Sequence, residues 1–119
     1  MGWIGVDLDG TLAEFHGWKG ENEIGAPVPA MVARVKAWIA EGRTVKIFTA
    51  RVGVSGMYSL ESHRYADEEF AANQRRVIEA WCEKHIGQKL EVTATKDFSM
   101  DELWDDRCVR VILNTGEIG

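Results

Sequence analysis

The sequence is poor in several things at once. Its two cysteines, Cys82 and Cys108, are too few for a disulfide scaffold and lack the paired spacing of a zinc site. Both are expected to be buried, reduced thiols. No apolar run approaches the ~20 residues that span a bilayer. The start of the chain enters a strand without a basic, apolar leader, so a soluble cytoplasmic protein with no membrane contact is expected. There is no surplus of positive charge: 14 Lys and Arg stand against 19 Asp and Glu, a formal net charge of -5, with the signs interspersed. That argues against a general nucleic-acid surface, which needs a basic patch. It leaves room for a phosphorylated molecule met by a local cation. Repeats and low-complexity segments are also missing. What remains, 119 residues with 45% apolar side chains and five tryptophans, is a single domain over 1–119 able to bury a core.

The most informative stretch lies near the N-terminus, Trp3-Ile4-Gly5-Val6-Asp7-Leu8-Asp9-Gly10-Thr11-Leu12. Ile4, Val6 and Leu8 suit a short buried strand over about 3–8, and Gly10 the turn that ends it. In a parallel sheet, ligands collect where strands end. Asp7 and Asp9 there need a counter-charge, because neighbouring carboxylates in a cleft repel. Hard oxygen ligands suit a divalent cation such as Mg2+. An acidic turn without chemistry has the same composition, since Asp and Gly are turn residues.

The rest of the chain reads as alternating helices and strands. Residues 12–28 are irregular, punctuated by Gly17, Gly20, Gly25 and Pro27. Trp18 and Lys19 make this segment either a surface hairpin with a small aromatic anchor or a flap that touches substrate. A helix should begin at Pro29, which suits the first helical turn, and stop at Gly42. Met31, Val32, Val35, Trp38 and Ile39 share one face of it. Residues 43–49 form a second strand, completing a βαβ unit. Residues 52–61, with Gly53 and Gly56, read as a loop. A long helix then runs from between Ser62 and Asp67 to about Ile86, with Phe70, Val77, Ile78, Trp81 and Cys82 as its apolar face. A third strand falls within Lys89–Thr95, and a fourth runs through Leu103-Trp104 into Asp105-Asp106. Val109–Leu113 is a fifth β segment, antiparallel to the fourth or a bent continuation of it. One helical turn around Phe98–Asp101 is expected in the short link between the third and fourth strands.

The string Asp7-Leu8-Asp9-Gly10-Thr11-Leu12 resembles the first motif of the haloacid dehalogenase (HAD) superfamily of phosphohydrolases. The resemblance implies three further stations at strand ends, and the chain offers them in order: Thr49 after the second strand, Lys96 before the fourth, and the acidic pair Asp105-Asp106 after it. It implies a three-layer, Rossmann-like α/β sandwich with a short, mainly parallel sheet. It implies that Asp7 is the nucleophile, forming an aspartyl-phosphate, and Asp9 the general acid and base. Thr49 and Lys96 would hold the phosphoryl oxygens. Mg2+ would be held by Asp7, the Asp9 carbonyl and the acidic pair, with Asp106 favoured over Asp105 as the direct ligand. The dehalogenases of the superfamily lack an aspartate at the place of Asp9, so its presence favours phosphoryl transfer. Arg51 is placed either to reach a substrate phosphate or to pair with an acid.

The chain departs from the family in one respect. No insertion large enough for a cap domain follows the first motif or the third strand. Capless members resemble those that act on large substrates or use an oligomeric neighbour as a lid, so a homo-oligomer is one expectation. The substrate is then a phosphorylated small molecule or the phosphorylated end of a larger one, met in an open site. Two other readings remain. A HAD-like domain can bind a phosphorylated partner with little turnover. A receiver domain of two-component signalling also clusters aspartates, a Thr or Ser and a Lys at strand ends, although there the acidic pair is contiguous after the first strand.

Overall fold

In the computed structural model of the protein, the residues described are 2–54, 58–59, 64–65 and 67–119. The first strand, β1, covers Trp3–Val6 and is followed by helix α1, Pro29–Ala40, and strand β2, Thr44–Phe48. A turn of 3-10 helix, Ala50–Val52, leads to a small antiparallel hairpin of β3, Tyr58–Ser59, and β4, Arg64–Tyr65. Helix α2 spans Glu68–His85, and strands β5, Glu91–Thr93, and β6, Met100–Trp104, complete the regular elements among the described residues. Gly56 of the expected 52–61 loop lies outside the described residues.

The four longer strands form one all-parallel sheet in the order β5-β2-β1-β6. The protein is thus α/β and Rossmann-like, as expected, with β1 in the interior of the sheet. The register places Ile4 beside Val45 and Val6 beside Ile47, and Ile47 beside Val92. Side chains alternate along a strand, so these five share a face. All five are buried, in one cluster with Met31 and Val35 of α1 and Ala71, Ile78, Trp81 and Cys82 of α2. Both helices therefore lie on the same face. This follows from right-handed crossovers that step in one direction, from β1 to β2 to β5.

The helices begin and end for local reasons. Pro29 occupies the first turn of α1, and Gly42, at φ +82°, follows its last residues. The Asp67 carboxylate caps α2 by accepting the Phe70 N–H at 2.8 Å. Lys84 and His85 occupy its last turn, where cations suit the helix dipole.

The opposite face carries no helix among the described residues. The third layer expected there is replaced by the link 94–99, which crosses from β5 to the far edge of the sheet. Trp3 anchors this link: its indole N–H donates to Asp97 Oδ1 at 2.8 Å, and its backbone N–H donates to the Ser99 carbonyl. The expected helical turn at 98–101 is not formed. The Asp97 carboxylate accepts the Ser99 N–H at 2.9 Å and its carbonyl accepts the Met100 N–H, giving a tight turn, and β6 starts at once.

The fifth β segment differs as well. Val109–Leu113 neither pairs with β6 nor continues it. It makes a single bridge, Val111 to Ile118, across a turn at 113–115, with positive φ at Asn114 and at Gly116 just after it. Cys82 is buried, and burial pushes its thiol up to about 12, but Cys108 is exposed at the base of this segment. The expectation of two buried thiols therefore holds for Cys82 alone. Cys108 falls outside because its segment leaves the core. No helix among the described residues is long and apolar enough to cross a membrane.

Candidate functional site

The C-terminal edge of the sheet gathers most of the residues singled out in the sequence. Asp7 follows β1 directly and extends the ladder through its N–H to the Trp104 carbonyl, 2.9 Å. Asp105 and Asp106 follow β6, whose Trp104 lies beside Val6. Thr49 follows β2, two residues beyond Ile47, which also lies beside Val6. Asp7, Thr49, Asp105 and Asp106 thus share one end of the sheet because all three strands point the same way.

The turn after Asp7 is built around one acceptor. The Leu8 carbonyl takes the N–H groups of Leu12 and Ala13, at 3.0 and 2.9 Å. Gly10 has a φ of +94°, and a Cβ there would lie 2.8 Å from Asp106 Oδ2. Only a residue without a side chain lets Asp106 approach so closely. The Thr11 hydroxyl then joins the two strand ends. It accepts the Asp106 N–H at 3.0 Å and lies 3.1 Å from Asp106 Oδ1 and 3.3 Å from Asp7 Oδ2, its proton serving one carboxylate at a time.

Asp7, Asp105 and Asp106 offer carboxylate oxygens that all lie within 4.8 Å of one another. Burial and the facing charges of Asp105 and Asp106 raise Asp7 to about 7, far above an ordinary carboxylate. A set of carboxylate oxygens without histidine or thiolate is the donor chemistry of a hard divalent cation. Such an ion would offset the burial and the repulsion that raise Asp7, so the residues fit a metal.

Asp9 stands apart from this trio. Its carboxylate takes both arms of Arg51, Nε to Oδ2 at 2.7 Å and Nη2 to Oδ1 at 2.8 Å. Arg51 is buried, lies 4.8 Å from the centre of the Trp18 ring, and donates further to Gln74 Oε1 and the Glu23 carbonyl, each at 3.0 Å. Of the two roles open to it from sequence, the structure shows the ion pair with an acid. Thr49 caps the 3-10 turn that presents Arg51, its hydroxyl accepting the Arg51 N–H at 3.2 Å.

The segment 12–28 is fastened over this pair. Backbone bonds from Glu14 to Ala26 and from Val28 to Leu12 close it as a hairpin. Helix α2 holds its outer part: Gln74 Nε2 donates to the Glu21 carbonyl at 2.6 Å and Trp81 Nε1 to the Gly25 carbonyl at 3.1 Å. Trp18 is half-buried between Arg51 and Phe70. Lys19 is exposed, on the wall of a cleft of about 110 Å³ shared with Asp9, Glu14, Phe15, His16 and Arg51.

Lys96 is exposed in the 94–99 link, three residues past the end of β5, and no hydrogen bond or ion pair joins it to Asp7, Asp105 or Asp106. Gln74, in contrast, was not singled out in the sequence. A glutamine amid the charged residues of α2 looks like surface, yet it is fully buried and links Arg51 to segment 12–28. The one signal available was its place on the helix, four residues after Phe70 and four before Ile78.

No family model matches this sequence, and no curated protein matches it significantly. Among solved structures, the fold is similar to that of a conserved protein coded by a locus of Bacteroides thetaiotaomicron, with a TM-score of 0.58 and 20% sequence identity over 91% of this chain and 78% of that one. At that identity the likeness speaks for the α/β fold alone.

Proposed function

We propose that this chain is a metal-dependent phosphoric monoester hydrolase of the HAD type. The observation that carries the reading is the convergence of Asp7, Asp105 and Asp106 within 4.8 Å at the C-terminal sheet edge, with Asp9 two residues beyond Asp7. In this reading the Asp7 carboxylate attacks phosphorus, and the bond to the leaving oxygen breaks as Asp9 gives that oxygen a proton. Water then attacks the aspartyl-phosphate, Asp9 takes its proton, and phosphate leaves with Asp7 restored. Mg2+, held by Asp7, Asp105, Asp106 and the Asp9 carbonyl, would supply the positive charge that offsets repulsion between nucleophile and phosphate.

Asp9 serves as an acid only after its pair with Arg51 opens, so substrate binding must compete for the guanidinium. The Thr49 hydroxyl accepts from Arg51 N–H and retains its own proton for a phosphoryl oxygen. Lys96 takes its proposed role by reaching the phosphoryl oxygens from the 94–99 link. The substrate is a phosphorylated small molecule or the phosphorylated end of a larger one.

The test is hydrolysis of an aryl phosphate with and without Mg2+. Turnover should require the metal and vanish in Asp7→Asn, with circular dichroism unchanged. Asp9→Asn should impair alkyl phosphates more than aryl phosphates, because a good leaving group needs less protonation. Equal turnover by wild type and Asp7→Asn would reject the reading.

A second reading rests on the bidentate Asp9–Arg51 pair, which engages the carboxylate that would act as general acid. That engagement suits a domain that binds phosphate with little turnover. Binding of inorganic phosphate in calorimetry without hydrolysis of any ester would support it.

A further inference from the structure

The chain beyond β6 forms an arm with no share in the core. Every residue from Asp106 to Gly119 is exposed. The arm folds on itself: Val111 bridges Ile118, the Ile112 N–H donates to the Glu117 carbonyl at 2.7 Å, and the Gly119 N–H to the Arg110 carbonyl at 2.9 Å. Residues alternate along an extended chain and bridged partners share a side. Val109, Val111 and Ile118 therefore line one face, with exposures of 70, 56 and 77%, and Leu113, 84% exposed, follows in the turn. A two-stranded hairpin is marginal in water unless its apolar face packs on something.

The sheet offers the complementary feature. Strand β6 pairs with β1 on one side alone, so its other edge is open among the described residues. On β6, Asp101 is paired with Arg43 at 3.1 Å, and Glu102 is exposed with one oxygen accepting the Trp104 indole N–H at 3.1 Å, whereas the arm carries Arg107 and Arg110, both exposed. The arm does not return to its own β6. Asp106 is held by Thr11, and the Arg107 N–H closes a turn on Asp105 Oδ1 at 2.8 Å, which fixes the chain where it leaves the sheet.

We propose that a second copy of this chain covers the arm, through reciprocal pairing of each arm's 109–113 segment with the open β6 edge of the other copy. Such a two-fold exchange pairs the free strand edges, buries the aliphatic face and sets Arg110 against Glu102. It also seats a second copy at the rim of the acidic site, since the arm begins at Asp106. The inference does not depend on the hydrolase reading, because oligomeric state and turnover are measured separately.

Size-exclusion chromatography with light scattering over a range of micromolar concentrations tests it. The wild-type chain should run as a dimer. Val111→Asp, at an exposed position outside the core, should shift it to monomer with unchanged circular dichroism. Arg110→Glu and Glu102→Arg should each weaken the dimer, and the two together should restore it. A monomer at every concentration would overturn the proposal, leaving the arm to fold back on its own β6 or to await another protein. A dimer that persists in Val111→Asp, or is lost in Arg110→Glu without rescue by Glu102→Arg, would overturn it equally.

Discussion

Replacing Arg51 by Met should be among the most damaging single changes away from the apolar core. The side chain is 6% exposed and that of Asp9 is 20% exposed. The change removes both contacts to Asp9, at 2.7 and 2.8 Å, and the bonds to Gln74 Oε1 and the Glu23 carbonyl. Removing one partner of a buried ion pair costs about 3–5 kcal/mol, chiefly because the other charge stays buried and alone. Water reaches the exposed side of Asp9, so the expected loss is at the lower end, ~3 kcal/mol. Domains of this size have a total stability of about 5–15 kcal/mol. With a urea slope of ~1.5 kcal/mol/M, the unfolding midpoint should fall by ~2 M. A double-mutant cycle supplies the decisive number. Asp9→Asn removes the stranded charge, so Arg51→Met should cost ~2 kcal/mol less in that background than in wild type. Additivity of the two changes to within ~0.5 kcal/mol would show that the pair carries no coupling and that the reasoning is wrong.

The pH dependence has an unusual sign. Asp7 is raised to about 7 in the folded chain, so the folded state holds this proton more tightly than the unfolded state. The resulting stability is present below the ordinary carboxylate range and lost as pH rises through about 7. Asp7→Asn should therefore stabilise the metal-free chain at pH ~8 by roughly 1–2 kcal/mol, allowing for solvent screening of a half-buried group, and much less at pH ~5, in paired urea titrations. Mg2+ should raise the melting temperature of the wild type more at the higher pH, where Asp7 is ionised, and should do little for Asp7→Asn. Gly10→Ala should cost about 1–2 kcal/mol from the left-handed backbone alone, and should weaken Mg2+ binding in calorimetry because Asp106 must retreat. Gln74→Leu, which removes the bonds to the Glu21 carbonyl and to one arm of the buried Arg51, should lower stability by ~2 kcal/mol in thermal unfolding.

Much of the architecture was legible because periodicity and punctuation are local. Pro29 and Gly42 bracket α1, and the valine, isoleucine and phenylalanine of 45–48 mark β2. The Asp7–Thr11 string marks a strand end without reference to anything distant. Other elements were misread where local pattern and tertiary setting disagree. Val109–Leu113 has the composition of a strand, but a strand needs a partner, and Thr11 and Asp105 direct the chain away from β6. The helical turn expected at 98–101 lost to a side-chain bond from Asp97, which a composition argument does not see.

The candidate site divides along the same line. Sequence alone determined which chemical groups stand at strand ends, since an aspartate directly after an apolar run in a parallel α/β chain has one place to be. Tertiary structure decided which of those groups meet. Asp7 faces Asp105 and Asp106 because β1 and β6 are neighbours in register, a pairing between residues about a hundred positions apart that no local pattern encodes. Asp9 meets Arg51 because a 3-10 turn after β2 aims the guanidinium at the turn after β1, with Gln74 of α2 behind it. The link that holds Lys96 carries no helix because six residues suffice to cross the open face from β5 to β6. Charge type is a property of the chain, but which charges approach one another is set by strand order and by the buried contacts that hold each turn.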